Sequence, residues 1–197
     1  MRDARGGAEP LSELRVDARR NQKRILLAAA RLLADDPTAS MQRIADEAQV
    51  ARPTVYRRYP TREALIDAIT QEAIGEFATV LDRAEADDED AASTLARLIR
   101  ALARIGTDYP IVFHSQNTHD TEAVVGRVDM LIARGQADGT IRTDVAADVL
   151  RHALFGALAA SLRLAWDPSA PEARVEAEEV GAQVAAIVVE GMRPRPV

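Results

Sequence analysis

No cysteine occurs among the 197 residues. That absence excludes a disulfide scaffold, a thiolate zinc site and a cysteine nucleophile. Aromatic residues make up only 4% of the chain, and no segment alternates apolar and polar positions with the β-branched and aromatic enrichment that strands require. No apolar run approaches the roughly eighteen residues of a membrane helix. The charged start, with Arg2, Asp3 and Arg5, has no apolar core behind it and does not read as a secretory signal. Internal repeats and low-complexity tracts are also missing. What remains is a core-forming composition, 47% hydrophobic and 28% charged, expected for a cytoplasmic protein with no membrane association.

The net charge of −6 is unevenly spread. Residues 1–62 hold 13 Lys and Arg against 8 Asp and Glu, a net of +5, whereas residues 63–197 hold 12 against 23, a net of −11. A basic head on an acidic body is expected where only one end meets a polyanion.

Alanine, leucine and arginine are abundant and favour helices. Residues 1–17, with Gly6, Gly7 and Pro10, read as a flexible N-terminal arm. Ile25, Leu26, Ala29, Leu32 and Leu33 form one stripe of a helix over 18–34, stopped by Asp35-Asp36-Pro37. Short helices are predicted near 41–48 and 52–58, then a long one from Thr61 to about Ala86. Further helices are predicted through Leu95–Ile105, around 111–117, over 119–137, from a cap at Asp144 to Trp166, and after Ser169-Ala170-Pro171-Glu172, a capping-box pattern. The expectation is an all-α chain of about nine helices.

Segment 40–62 is the informative one. Ile44, Ala45 and Ala48 share one face of a short helix, Ala45 being small enough for a second helix to cross closely. Val50 is an apolar plug in the turn, and Val55 ties the second helix to the first. These offsets are those of a helix-turn-helix. The second helix offers Arg52, Pro53, Thr54, Tyr56, Arg57 and Arg58. Arginine forks suit guanine edges, hydroxyls suit phosphate oxygens, and proline and the threonine methyl suit thymine methyls. Arg62, with Tyr56, is expected to hold phosphates, and Arg43 and Tyr59 complete a DNA-binding set of Arg43, Arg52, Pro53, Thr54, Tyr56, Arg57, Tyr59 and Arg62.

On Ile25, Ala29, Leu33, Ile44-Ala45, Val50, Thr54-Val55-Tyr56, Tyr59 and Arg62-Glu63-Ala64-Leu65, residues 22–70 resemble the DNA-binding domain of the TetR family, the tetracycline-repressor-like bacterial regulators. Gly139-Thr140-Ile141-Arg142-Thr143-Asp144 is similar to the turn that often precedes that family's dimerisation helices. There are two departures. Gln49 stands where the family usually has glycine in the turn, often at positive φ, which costs a non-glycine residue about 1 kcal/mol. Ala51 stands where a serine or threonine usually caps the recognition helix, a loss of about 1 kcal/mol that Pro53 partly offsets by fixing φ.

The resemblance implies a helix-turn-helix domain over 18–66 and a ligand-binding and dimerisation domain over 67–197. It further implies a homodimer, a palindromic or pseudo-palindromic double-stranded DNA operator, and a small-molecule effector that releases it. Two observations on the residues agree. The 145–165 helix is apolar or small nearly all round, and Val180, Val184, Ile187 and Val188 form a stripe on the last helix, so both need cover. Candidate ligand contacts are Tyr109, Phe113, His114, Asn117, Met130, Phe155 and Trp166. His114, His119 and His152 lack metal-ligand spacing, so no metal and no cofactor are expected. A hydrolase and an all-helical interaction module without DNA are the alternatives. The first lacks a nucleophile-base constellation, a Gly-rich phosphate loop and an H-E-x-x-H pattern, so no enzymatic activity is expected. The second must treat the basic-aromatic run at 52–62 as accidental.

Overall fold

The computed structural model describes residues 9–86, 89–113, 122–165 and 177–194. Among them every regular element is helical, and no helix is long and apolar enough to cross a membrane. The chain divides into two compact units, Met1–Ile69 and Thr70–Val197.

The first unit holds α1 (Glu9–Asp35), α2 (Met41–Glu47), α3 (Arg52–Arg58) and the start of α4 (Arg62–Ala86). Helix α1 begins at Glu9 rather than at 18, so the expected loose arm over 1–17 is helical from its ninth residue. Pro10 explains the difference: it falls in the first turn, where a missing N–H costs nothing and a fixed φ suits the helix. Residues 1–8 lie outside the described part. The predicted stripe is largely the one buried, with Ile25, Leu26, Ala29, Ala30 and Leu33 meeting Ile44, Ala45, Val55, Leu65 and Ile69 in one core. Burying such side chains stabilises by roughly 1.5–3 kcal/mol each.

In the second unit, α5 (Ala91–Asp108) is central and packs against α6 (Glu122–Asp138), α7 (Ala147–Ala165) and α8 (Ala177–Val184). Asp90 caps α5, its carboxylate accepting from the Ser93 amide at 2.9 Å and the Ser93 hydroxyl at 2.7 Å. Part of the acidic run at 87–90 thus starts a helix. Pro110 opens a short 3-10 helix, Pro110–Phe113. A π-helical segment, Ala185–Val189, and a last turn α9 (Glu190–Met192) extend α8. The capping-box residues Ser169 and Glu172 lie outside the described residues.

Two close approaches fix this packing. A Cβ on Gly135 would stand 2.6 Å from Ile141 Cδ1 and 2.7 Å from Ala91 Cβ. Only glycine there lets Ile141, buried after the Gly139 turn (φ +81°), fold back onto α6. On Gly181 a Cβ would stand 2.8 Å from Arg100 Cα and 2.9 Å from Ala103 Cβ, so α8 lies directly on the α5 backbone. Asp144 does not cap α7, which starts at Ala147. Its carboxylate instead accepts two hydrogen bonds from the Arg142 guanidinium, both 2.6 Å. Arg142 also donates from its main chain to the Met192 carbonyl at 2.8 Å and from Nη1 to the Gly191 carbonyl at 3.2 Å. The turn after α6 is thereby fastened to the end of the last helix.

Candidate nucleic-acid interface

Ser40 caps α2, its Oγ accepting from the Arg43 amide at 3.2 Å. The turn then closes tightly, with the Gln49 amide donating to the Asp46 carbonyl and the Val50 amide to the Ala45 carbonyl, both at 3.0 Å. Gln49 has φ +53°, the left-handed conformation that glycine adopts without strain. A residue not singled out from sequence supports this turn. From α1, Arg24 donates to the Ala48 carbonyl at 2.7 Å and to the Gln49 carbonyl at 3.1 Å. These satisfy carbonyls at the end of α2 that have no helical partner. A basic side chain at the right register of α1 was the only signal for it in the sequence.

Helix α3 starts at Ala51 with no side-chain cap and a proline in its first turn. Val55 is fully buried beneath it, as are Ile44 and Ala45 of α2, the helix on which α3 packs. Its outer face carries Arg52, Pro53, Tyr56, Arg57 and Arg58, all exposed, with Thr54 half-buried. The Arg52 guanidinium lies 5.0 Å from the Tyr56 ring centroid and donates weakly to the Tyr56 hydroxyl at 3.4 Å, a pairing that holds both side chains on the surface. Arg58 donates to Gln22 Oε1 of α1. Arg43 donates to Asp36 at 2.5 Å yet keeps 61% of its side chain exposed. Hydrogen bonds from the Thr38 hydroxyl and amide hold the Asp36 carboxyl below its usual range, with Arg43 adding to them.

Two of the expected DNA contacts are turned to other partners. Tyr59 is 5% exposed, because the end of α3 turns it into the core. Arg62 donates to the Ala39 carbonyl at 2.7 Å and to the Pro37 carbonyl, so its guanidinium ties the start of α4 to the loop before α2. Residue type alone suggested DNA contacts at both positions, but the helix crossing turned both inward. Thr61 does cap α4, its Oγ1 accepting from the Ala64 amide at 3.1 Å.

Among the described residues, the expected ligand contacts do not assemble into one set. Tyr109 is fully buried and donates from its hydroxyl to Glu76 Oε1 at 2.8 Å. That burial and the acceptor carboxylate push the phenol far above its usual range. Met130 is 65% exposed on α6 and points away from any interior. Phe155 is half-buried on α7, and Phe113 ends the 3-10 helix. His114, Asn117 and Trp166, like His119, lie outside the described residues.

The geometry of α2, turn and α3 agrees with a comparison of sequences. Residues 25–69 match the family described as bacterial regulatory proteins, tetR family. Over those residues the chain is similar to the DNA-binding domain of that family. A TetR-family relative, the HTH-type transcriptional repressor LfrR of Mycolicibacterium smegmatis, is 35% identical over 93 residues, 47% of this chain and 48% of LfrR. The chain thus spans about half the length of the curated relative it matches. The fold extends further. The structure of LfrR from Mycobacterium smegmatis in complex with proflavine has a TM-score of 0.61 at 21% identity, covering 90% of this chain and 99% of that one. The fatty acid degradation regulator FadR from Bacillus halodurans has a TM-score of 0.68 at 20% identity, covering 89% and 97%.

Proposed function

We propose that this chain is a transcriptional repressor of the TetR family that binds a two-fold operator as a homodimer and is released by a small-molecule effector. The observation that carries the reading is the outer face of α3, where Arg52, Pro53, Tyr56 and Arg57 stand exposed above a buried Val55. In this reading Arg52, Pro53 and Thr54 meet base edges, and Tyr56, Arg57 and Arg43 hold phosphates. Tyr59 and Arg62 belong to the frame.

A second observation supports the dimer. Helix α7 buries Leu150, Leu154, Leu158 and Leu162 within its own unit. Its opposite face exposes Val149, Ala153, Gly156 and Ala160, spaced at three or four residues. Beside it, Ala182, Ala186 and Ile187 are exposed on α8 and its extension, Ile187 by 76%. Small, uncharged side chains on two adjacent helices suit a two-fold four-helix interface. Val180 and Val184, expected on that interface, are instead buried in the unit's own core.

LfrR, a repressor, has been crystallised with proflavine, which is consistent with an effector site in this chain too. We take α4, which begins before the boundary between the two units and ends after it, as the element that carries the effector's signal. The test is a gel shift of the full chain on DNA upstream of its own gene, with light scattering on the same sample. A dimer that shifts one discrete fragment, and fails to shift its scrambled version, is expected. A monomer, or equal binding to the scrambled DNA, overturns the reading.

A further inference from the structure

Residues 63–197 carry 23 Asp and Glu against 12 basic residues, all of them arginine. Several of those arginines are matched to carboxylates: Arg127 to Asp82 and Glu85, Arg142 to Asp144, Arg151 to Asp129 and Arg193 to Glu190. Among the described residues, one cluster is matched at Arg97 alone, to Glu89. Arg83, Arg97, Arg100 and Arg104 line a single cleft of about 350 Å³ between α4 and α5, and among the described residues no carboxylate lines it with them. The short side chains of Ala84 and Ala101 leave the room.

The placement follows from helix periodicity. Arg97, Arg100 and Arg104 succeed one another at three and four residues, so they stack along one face of α5 over about 10 Å. Arg83 faces them from α4. The nearby α4 carboxylates Asp82 and Glu85 are taken by Arg127 at 2.7–2.8 Å. Arg97 is steadied by Glu89 at 3.2 Å and by the Ala84 carbonyl at 3.4 Å. Arg100 and Arg104 enter no ion pair among the described residues, and Arg100 Nε donates only to the Ala96 carbonyl of its own helix at 3.3 Å. Like charges at helical spacing repel, and an anion in the cleft relieves that repulsion. Guanidinium forks bind phosphoryl oxygens two at a time. A row of about 10 Å is longer than one phosphate requires and fits two or three in succession.

We propose that this cleft binds the di- or triphosphate group of a small metabolite, which names the chemical class of the effector. The site stands on the cleft alone; only the word effector rests on the repressor reading. Calorimetry of the full chain in magnesium-free buffer, with inorganic triphosphate and orthophosphate as probes, tests it. Triphosphate should bind once per chain, at least tenfold more tightly than orthophosphate. The double variant Arg100→Ser/Arg104→Ser should lose at least tenfold in triphosphate affinity, while Arg52→Ala/Arg57→Ala, altered only on α3, should keep it. All four positions are exposed, so both variants should fold, as circular dichroism would register. No preference for triphosphate overturns the proposal, as does binding lost in the α3 variant and kept in the cleft variant. Operator binding is measured beside it. A chain that holds triphosphate in the cleft but shifts no DNA retains the site and loses the repressor reading.

Discussion

The two units use the same residue, arginine, in opposite ways. In the acidic unit, arginines such as Arg127 and Arg151 are braces, each closed onto a carboxylate of another helix. In the basic unit, Arg24 and Arg62 close onto backbone carbonyls and build the helix-turn-helix from inside, while Arg52 and Arg57 stand on its outer face. Net charge therefore does not tell which arginines can meet an external anion. The partner that each guanidinium already has is what separates frame from contact surface.

The largest expected effect tests whether the body's small-residue face is needed by the head. Ala160→Glu puts a charge in the exposed α7 stripe, and a dimer that buries it would be lost. Sedimentation should then show a monomer, and operator binding should fall by two orders of magnitude or more, because one recognition helix reads only a half-site about 34–36 Å from the next. An intact dimer would move the interface elsewhere.

Next, Arg62→Ala separates frame from contact within the head. It frees the Ala39 and Pro37 carbonyls, which should destabilise the fold by roughly 1–3 kcal/mol in urea denaturation. The salt slope of DNA binding should stay unchanged. Arg57→Ala should do the reverse, leaving stability alone and reducing that slope by about one. Arg52→Ala should relax discrimination at one base pair by roughly 1–3 kcal/mol, read in a panel of substituted operators.

Smaller still is Gln49→Gly, which relieves a left-handed non-glycine residue and should stabilise the chain by up to about 1 kcal/mol. A loss of stability would mean that the Gln49 side chain contributes something glycine cannot. The smallest effect concerns a turn that both units share. The Thr38 amide and hydroxyl donate to the Asp36 carboxylate, and those of Thr140 to Asp138. Both carboxyls are held below their usual range, chiefly by these hydrogen bonds. A depressed folded value means stabilisation that is full above the ordinary carboxyl range and lost as pH falls through the depressed one. The Tm difference between Asp36→Asn and the native chain should therefore be constant near neutrality and shrink only in strong acid.

Much of the head was legible because its core follows a 3.6-residue period and its turn has fixed offsets. Ile25, Ala29, Leu33, Ile44, Ala45 and Val55 could be read as buried from spacing alone, and they are. Tyr59 and Arg62 read as DNA contacts from residue type, which says nothing about which way a helix end rotates, and the structure turns both toward the frame. Arg24 was invisible because its partners are carbonyls twenty-four and twenty-five residues on, which any sequence supplies. In the body, the mixed apolar girth of α7 suggested two faces to cover but could not tell which of them its own unit buries. Leu150 and Val149 look alike in sequence, yet one is buried and the other is 53% exposed. The described candidate ligand residues, Tyr109, Phe113, Met130 and Phe155, stand apart for a related reason: aromatic residues mark burial, and burial alone does not make a pocket.

Gly181 links two of these features mechanically. Most helix pairs meet through side chains, which can change rotamer and absorb a small displacement. Here α8 meets the main chain of α5 at Arg100 itself, with only the Ala103 methyl beside it. If the guanidiniums of α5 draw toward an anion and the helix turns by a few tenths of an ångström, α8 has no cushion and must travel with it. Its exposed residues, Ala182, Ala186 and Ile187, then shift against whatever covers them. A missing methyl group thus acts as a rigid coupling, turning a charge event in a cleft into a displacement of the face that a second subunit would read.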